Sequence, residues 1–238
     1  MVRVLVTRPE PGASRTARRL QETGFQPVLL PLTKTVALPV ETGLVAKNAI
    51  AVLITSANAI RHAPKEIIAA LAALPCHAVG KRTAEAARAA GFLTVNEGPG
   101  NAEALADMLA DRLSGKAVIY LCGRVRFPAF EARLKAAGVW VHPIETYDTV
   151  APAYSDAAVI GHLSGLPVDA VLLYSAKAAA TMQALARRPA LHDLFEKTRV
   201  FALSRRIAAV LDEAASEKIR VAAEPDEEAL LELLRGWR

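Results

Sequence analysis

The chain alternates short apolar runs with longer, alanine-rich stretches whose apolar residues recur every three or four positions. Runs of the first kind read as strands and stretches of the second as helices. Their alternation predicts an α/β protein with mostly parallel strands. Residues 2–7 read as a strand, 14–23 as a helix ended by Gly24, and 27–32 as a second strand. A linking stretch at 33–46 leads to a buried strand at 50–55, and Pro64 then suits the first turn of a helix. Strands at 76–79 and 93–95, with helices at 83–90 and 102–113, complete this first series.

After Gly115 the series runs again. Strand 117–122, helix 128–137, strand 139–144 and a link at 146–152 come first. Strands at 169–174, 199–203 and 219–222 follow, interleaved with helices at 176–187, 206–215 and 227–235. The two series are an internal duplication. Val52-Leu53-Ile54-Thr55-Ser56-Ala57 answers Val171-Leu172-Leu173-Tyr174-Ser175-Ala176, and Asn101-Ala102-Glu103-Ala104-Leu105 answers Asp226-Glu227-Glu228-Ala229-Leu230. Thr33-Lys34-Thr35-Val36 answers Tyr147-Asp148-Thr149-Val150. Each series holds a two-strand part and a three-strand part, which together make a five-stranded doubly wound sheet of flavodoxin-like size. Two such domains are predicted.

The 238 residues suffice for two small domains, and 53% hydrophobic with 22% charged residues is a globular balance. No apolar run reaches the length of a membrane span, and the N-terminal stretch lacks a signal-peptide pattern, so a cytoplasmic protein is expected. Cys76 and Cys122 stand far apart, with no histidine at ligand spacing, which argues against a disulfide scaffold and a structural zinc. The net charge of +5 favours an anionic partner. There is no dense basic run with interleaved aromatics, so a polyanionic small molecule fits better than nucleic acid.

Doubly wound sheets bind ligands beyond the carboxyl ends of their strands, where helix N-termini present free N–H groups to anions. The turns at those places are Thr7-Arg8-Pro9, Thr55-Ser56-Ala57-Asn58, Gly80-Lys81-Arg82-Thr83, Cys122-Gly123-Arg124, Tyr174-Ser175-Ala176 and Leu203-Ser204-Arg205-Arg206. Each taken alone reads as a helix cap with a solvated charge. Together they make Arg8, Ser56, Lys81, Thr83, Arg124, Ser175 and Ser204 candidate holders of carboxylate or phosphate. No P-loop is present. Gly98-Pro99-Gly100 lacks the third glycine of a dinucleotide fingerprint, and its proline removes a donor. His62, His77 and His142 read as local hydrogen-bonding residues and His162 as a loop residue; no nucleophile elbow or Cys/His pair occurs. Neither a metal nor an organic cofactor is expected.

In order, these segments resemble the uroporphyrinogen-III synthase family over nearly the whole chain. The resemblance rests on Val4-Leu5-Val6-Thr7-Arg8-Pro9, Ile54-Thr55-Ser56-Ala57-Asn58-Ala59, Ala78-Val79-Gly80 with Thr83-Ala84, Glu145-Thr146-Tyr147-Asp148-Thr149 and Tyr174-Ser175-Ala176. It implies two flavodoxin-like doubly wound parallel-sheet domains joined by a two-stranded linker, with the active site in the cleft between them. One domain would comprise 1–33 with 152–238 and the other 36–148, connected by 34–35 and 149–151. The implied reaction closes hydroxymethylbilane, a linear tetrapyrrole carrying eight carboxylates, with inversion of ring D and loss of water. It implies no cofactor, and a monomer is the default. Ser204-Arg205-Arg206 stands where the family often has a Gly-Pro-Thr-like turn. Tyr147 is the implied proton donor to the departing hydroxyl, a task for which a phenol at neutral pH needs no tuning. The rival reading is a two-domain binding protein that holds a small polycarboxylate, or another anion, without chemistry.

Overall fold

The structure, a computed structural model, describes residues 1–237 apart from 42, 44, 45, 47, 127 and 212–216. In chain order the elements are β1 (Arg3–Val6), α1 (Gly12–Glu22), β2 (Gln26–Leu29), β3 (Lys34–Ala37), β4 (Ala49–Ile54), α2 (Ala57–Arg61), α3 (Lys65–Leu71), β5 (Cys76–Ala78), α4 (Lys81–Ala90), β6 (Val95–Glu97) and α5 (Ala102–Leu113). Then come β7 (Ala117–Gly123), α6 (Pro128–Ala136), β8 (Trp140–Val150), α7 (Asp156–His162), β9 (Ala170–Leu173), α8 (Ala176–Ala186), α9 (His192–Phe195), β10 (Arg199–Ala202), α10 (Arg205–Ala208), β11 (Ile219–Val221) and α11 (Glu227–Arg235).

The chain forms two compact units, Met1–Lys34 with Val150–Arg238 and Thr35–Thr149. The first holds a five-stranded sheet in the order β11-β10-β9-β1-β2, with parallel pairing throughout. Its central strand Ala170–Leu173 is buried along its whole length, and Val4–Val6 and Phe201–Ala202 beside it are buried too, because helices cover both faces. One face packs Leu5, Val171 and Leu173 against Met182 and Phe195, and the other packs Val4, Val6 and Leu172 against Leu20 and Leu230. In α1 the residues that meet the core, Ala13, Thr16 and Leu20, recur at helical spacing.

The second unit holds a six-stranded sheet in the order β3-β8-β7-β4-β5-β6, in which β8, β7, β4, β5 and β6 pair in parallel. Every residue of β7 is buried. The sixth strand, β3, is the connecting segment itself, and next to it the Leu38 N–H donates to the Thr146 carbonyl at 3.0 Å.

Four expectations change. The strand expected at 139–144 and the link after it are one strand, β8, because the backbone beyond Ile144 finds partners first in β7 and then in β3. His162 ends a helix rather than lying in a loop. Ser155 caps α7 by accepting the Ala158 N–H at 3.2 Å, and Val159 and Leu163 bury one turn apart; the Gly161, Ser164 and Gly165 cluster disguised this segment as a turn. The strand expected at 93–95 is β6, two residues later, since Phe92 takes the core position and Leu93 faces outward. Of the helix expected at 206–215, α10 accounts for the first part, and 212–215 lie outside the described residues.

Candidate active site

At the carboxyl ends of β4 and β5 the second unit carries a cavity of about 480 Å³, lined among others by Thr55, Ser56, Asn58, Arg61, Lys81, Arg82 and Thr83. Two turns build it. Ser56 is extended and its Oγ accepts the Asn58 N–H at 3.2 Å, which starts α2 as the strand ends. Gly80 occupies the same place before α4 but brings no side-chain cap, so the opening of that helix faces the cavity with Lys81 and Arg82 beside it.

Gly100 closes one wall. The loop carrying Gly98 and Gly100 lies on the end of β5, where the Gly98 N–H donates to the Ala78 carbonyl at 2.8 Å and the Gly100 N–H to the Val79 carbonyl at 2.7 Å. A Cβ on Gly98 would stand 2.7 Å from the Ala78 carbonyl oxygen, and one on Gly80 would stand 3.1 Å from Gly100 Cα. Gly98 and Gly80 let backbones touch, while Gly100 takes a φ of +99° that favours glycine.

Positive charge dominates the cavity. Among the described residues none of Arg61, Lys81 and Arg82 has a carboxylate partner; Arg61 reaches only the side-chain amide oxygen of Asn58, Oδ1, at 3.4 Å. Burial, with the neighbouring Arg61 cation, lowers the pKa of His62, which therefore adds no charge at neutral pH. Three cations without a carboxylate partner among the described residues, set around a concave floor, attract an anionic ligand.

Of the expected anion-binding residues, Ser56, Lys81 and Thr83 line this one cavity. Arg124 stands at the end of β7 and is already engaged, with Glu145 at 3.3 Å and Asp148 at 3.6 Å. Its backbone N–H donates to the Tyr147 carbonyl at 2.8 Å, so Arg124 and Tyr147 are neighbours across the β7 and β8 ends. The Tyr147 ring packs beside His62, centroids 6.0 Å apart, and lies over Gly123. Close by, Arg126 bonds Glu131 at 2.5 Å and Glu145 at 2.8 Å, and its guanidinium holds the Glu145 carboxyl below the usual carboxylate range.

In the other unit, Arg8, Ser175 and Ser204 follow β1, β9 and β10. Arg8 spans the Tyr174 ring, 4.5 Å from its centroid, and pairs with Glu227 at 3.0 Å, so its charge is neutralised within that unit. Burial pushes the Tyr174 phenol up to about 12. Ser175 Oγ accepts the Ala178 N–H at 3.1 Å, and Ser204 starts α10 without such a bond.

Asn58, Arg61 and Arg82 were not singled out from the sequence. Asn58 and Arg82 belong to the two turns that build the cavity, and Arg61 lies one helical turn beyond Asn58, so helical spacing from Ser56 was the available signal. His77, expected to hydrogen-bond locally, sits inside β5 with its Nδ1 buried and unpartnered. Among the described residues no three His, Cys, Asp or Glu side chains gather as a metal site.

Two solved structures resemble the chain along its full length. One is uroporphyrinogen-III synthetase from Helicobacter pylori, with a TM-score of 0.65, 17% identity and complete coverage of both chains. The other is a substituted uroporphyrinogen III synthase from Thermus thermophilus, with a TM-score of 0.53, 19% identity and coverage of 100% of this chain and 97% of that one. They share the two-sheet α/β fold. No curated protein matches the chain significantly in sequence. The pattern of one family, described as uroporphyrinogen-III synthase HemD, matches residues 14–232. With nearly every turn and strand described above inside that match, the chain belongs to the uroporphyrinogen-III synthase family.

Proposed function

We infer that the chain carries out the reaction of its family on hydroxymethylbilane through the cavity at the ends of β4 and β5 and the phenol of Tyr147. The reaction is a cofactor-free ring closure in tetrapyrrole and haem biosynthesis, giving uroporphyrinogen III with loss of water. The observation that carries the site reading is the set of three cations, Arg61, Lys81 and Arg82, around one concavity without carboxylate partners among the described residues. A substrate with eight carboxylates supplies those partners.

The chemistry asks little of the protein in nucleophiles. Departure of the hydroxymethyl hydroxyl as water leaves an azafulvene cation, stabilised by the electron-rich pyrrole. The terminal pyrrole attacks through its substituted carbon, and rearrangement of the resulting spiro intermediate inverts ring D. The protein must hold the chain in the folded arrangement that favours this path over simple closure, which is catalysis by orientation. Ser56, Lys81 and Thr83 hold carboxylates from the one unit. Ser175 and Ser204 offer the same chemistry from the other, as does Arg8 once it leaves Glu227. Arg124 contributes on exchanging Glu145 or Asp148 for substrate. Tyr147 donates the proton that lets water leave. Cys76 and Cys122 are buried free thiols, which suits a reducing compartment and supports placing the enzyme in the cytoplasm.

The test supplies freshly generated hydroxymethylbilane and separates the product isomers. Uroporphyrinogen III is expected in excess of the non-inverted isomer that forms unaided. Tight binding of the substrate with only the non-inverted product would instead support the binding-protein reading.

A further inference from the structure

Strands β7 and β8 run in register from Ala117 with Trp140 to Cys122 with Glu145, and then the register slips: Gly123 pairs with Tyr147. Thr146 is the extra residue of a bulge. A bulge changes which way the next side chain points. Here Thr146 and Tyr147, consecutive in sequence, both turn toward α2. The Thr146 hydroxyl, fully buried, donates to the Ala59 carbonyl at 2.7 Å, and the Tyr147 ring packs beside His62 at the end of the same helix. Glu145 lies on the other side with Arg126. Regular alternation would have sent Tyr147 to that side as well.

Space for the ring comes from Gly123. A Cβ there would stand 2.6 Å from Tyr147 Cζ, 2.8 Å from Cε2 and 3.0 Å from the hydroxyl oxygen. The Gly123 backbone lies outside the left-handed region, so any residue could adopt its conformation, and the only thing excluded is a side chain. The phenol end of Tyr147 thus rests on a bare strand end, and the strand holding it is pinned by the hydroxyl of Thr146, the residue next to Glu145, whose ion pair with Arg126 lies on the opposite face.

We propose that Thr146 and Gly123 are positioning residues that aim the Tyr147 hydroxyl, Thr146 by anchoring the bulge to the α2 carbonyl and Gly123 by leaving room for the ring. The proposal rests on the reading of Tyr147 as the proton donor. Because Ala59 belongs to the helix that carries Asn58 and Arg61, the same anchor sets the distance between the phenol and the cation-lined cavity.

The experiment compares Thr146→Val, Thr146→Ser and Gly123→Ala, each in the native chain and in Tyr147→Phe, with isomer-resolved turnover of hydroxymethylbilane and thermal melting of every variant. Thr146→Val and Gly123→Ala are expected to lower kcat by roughly ten-fold or more while KM stays within about two-fold, since the misplaced group acts on the reacting atoms and not on carboxylate binding. Thr146→Ser, which keeps the donor, should restore most of the rate. In the Tyr147→Phe background neither substitution should lower kcat further, because no hydroxyl remains to aim. Native turnover in Gly123→Ala and Thr146→Val beside a slow Tyr147→Phe would overturn the positioning roles and leave the donor reading intact. Native turnover in Tyr147→Phe would instead remove the donor reading itself. Losses equally large in both backgrounds would show that the two residues act by other means. Should Thr146→Val not fold, Gly123→Ala decides alone.

Discussion

The hydroxyls of Thr55 and Tyr120 meet at 2.7 Å beneath the cavity of the second unit. Thr55 lines that cavity, whereas Tyr120 is almost wholly buried and packs its ring on Phe130 with centroids 4.9 Å apart. A buried phenol needs a partner, and the floor of the cavity provides it. Tyr120→Phe should therefore cost about 1 kcal/mol of stability, the usual net worth of such a hydrogen bond, with the fold intact. Urea unfolding of the variant beside the native chain measures it, and an unchanged midpoint would mean that the bond contributes nothing.

Burial also sets the alkaline limit of the fold. It pushes the thiols of Cys76 and Cys122 and the phenols of Tyr120 and Tyr174 up to about 12 each. In the unfolded chain a thiol releases its proton near 9 and a phenol near 10. Between those values and about 12 the folded state binds more protons than the unfolded one, so stability is complete below pH 9 and falls as pH rises. Denaturant unfolding at a series of pH values should show this decline, and it should be shallower in Tyr120→Phe. A stability flat up to pH 11 would contradict the burial of these groups.

The central strands of both sheets were legible because buried parallel strands are nearly continuous apolar runs, whereas β3 and the last part of β8 fall in stretches that read as links. Ala170–Leu173 and Ala49–Ile54 admit no other reading when followed by Ser175 and Ser56 at helix starts. The place of their turns at the carboxyl ends of strands brought Ser56, Lys81 and Thr83 forward, together with Arg8, Arg124, Ser175 and Ser204. What stayed hidden depended on three-dimensional pairing. The engagement of Arg8 by Glu227 joins residues from opposite ends of the chain, and no spacing announces it. The bulge at Thr146 is likewise invisible in Glu145-Thr146-Tyr147, since a slipped register belongs to two strands at once.

Gly98 tests the packing reading of the glycine run. An added Cβ would stand 2.7 Å from the Ala78 carbonyl and 3.0 Å from Leu105 Cδ1, and the first of these is backbone and cannot move aside. Gly98→Ala should destabilise the chain by about 1–3 kcal/mol, the usual range for overpacking. Gly43, whose added Cβ meets nothing within 4 Å among the described residues, is the control, and Gly43→Ala should leave the melting temperature nearly unchanged. Equal stability in both variants would show that the loop has room to shift.

The cavity cations make the last prediction, one about substrate binding and salt. Lys81 and Arg82 sit in the first turn of α4, where their charges add to the positive end of the helix dipole and, among the described residues, meet no carboxylate. The isolated helix is the poorer for them, since acidic residues suit that turn better, and the arrangement makes sense only when an anion arrives. Each cation lost singly should weaken binding by about 1 kcal/mol, a few-fold in KM, because backbone groups and Arg61 remain. Lys81→Gln with Arg82→Gln together should raise KM by roughly ten-fold or more while kcat changes little, as removal of uniform binding does. The native chain should show a KM that climbs with added salt, since contacts to an exposed polycarboxylate are screened beyond a Debye length of about 10 Å at 0.1 M. In the double variant that salt dependence should flatten. Initial rates across substrate concentration at low and physiological ionic strength decide the matter. A double variant with native KM and native salt response would place the carboxylates elsewhere, and the cavity would lose its part in binding.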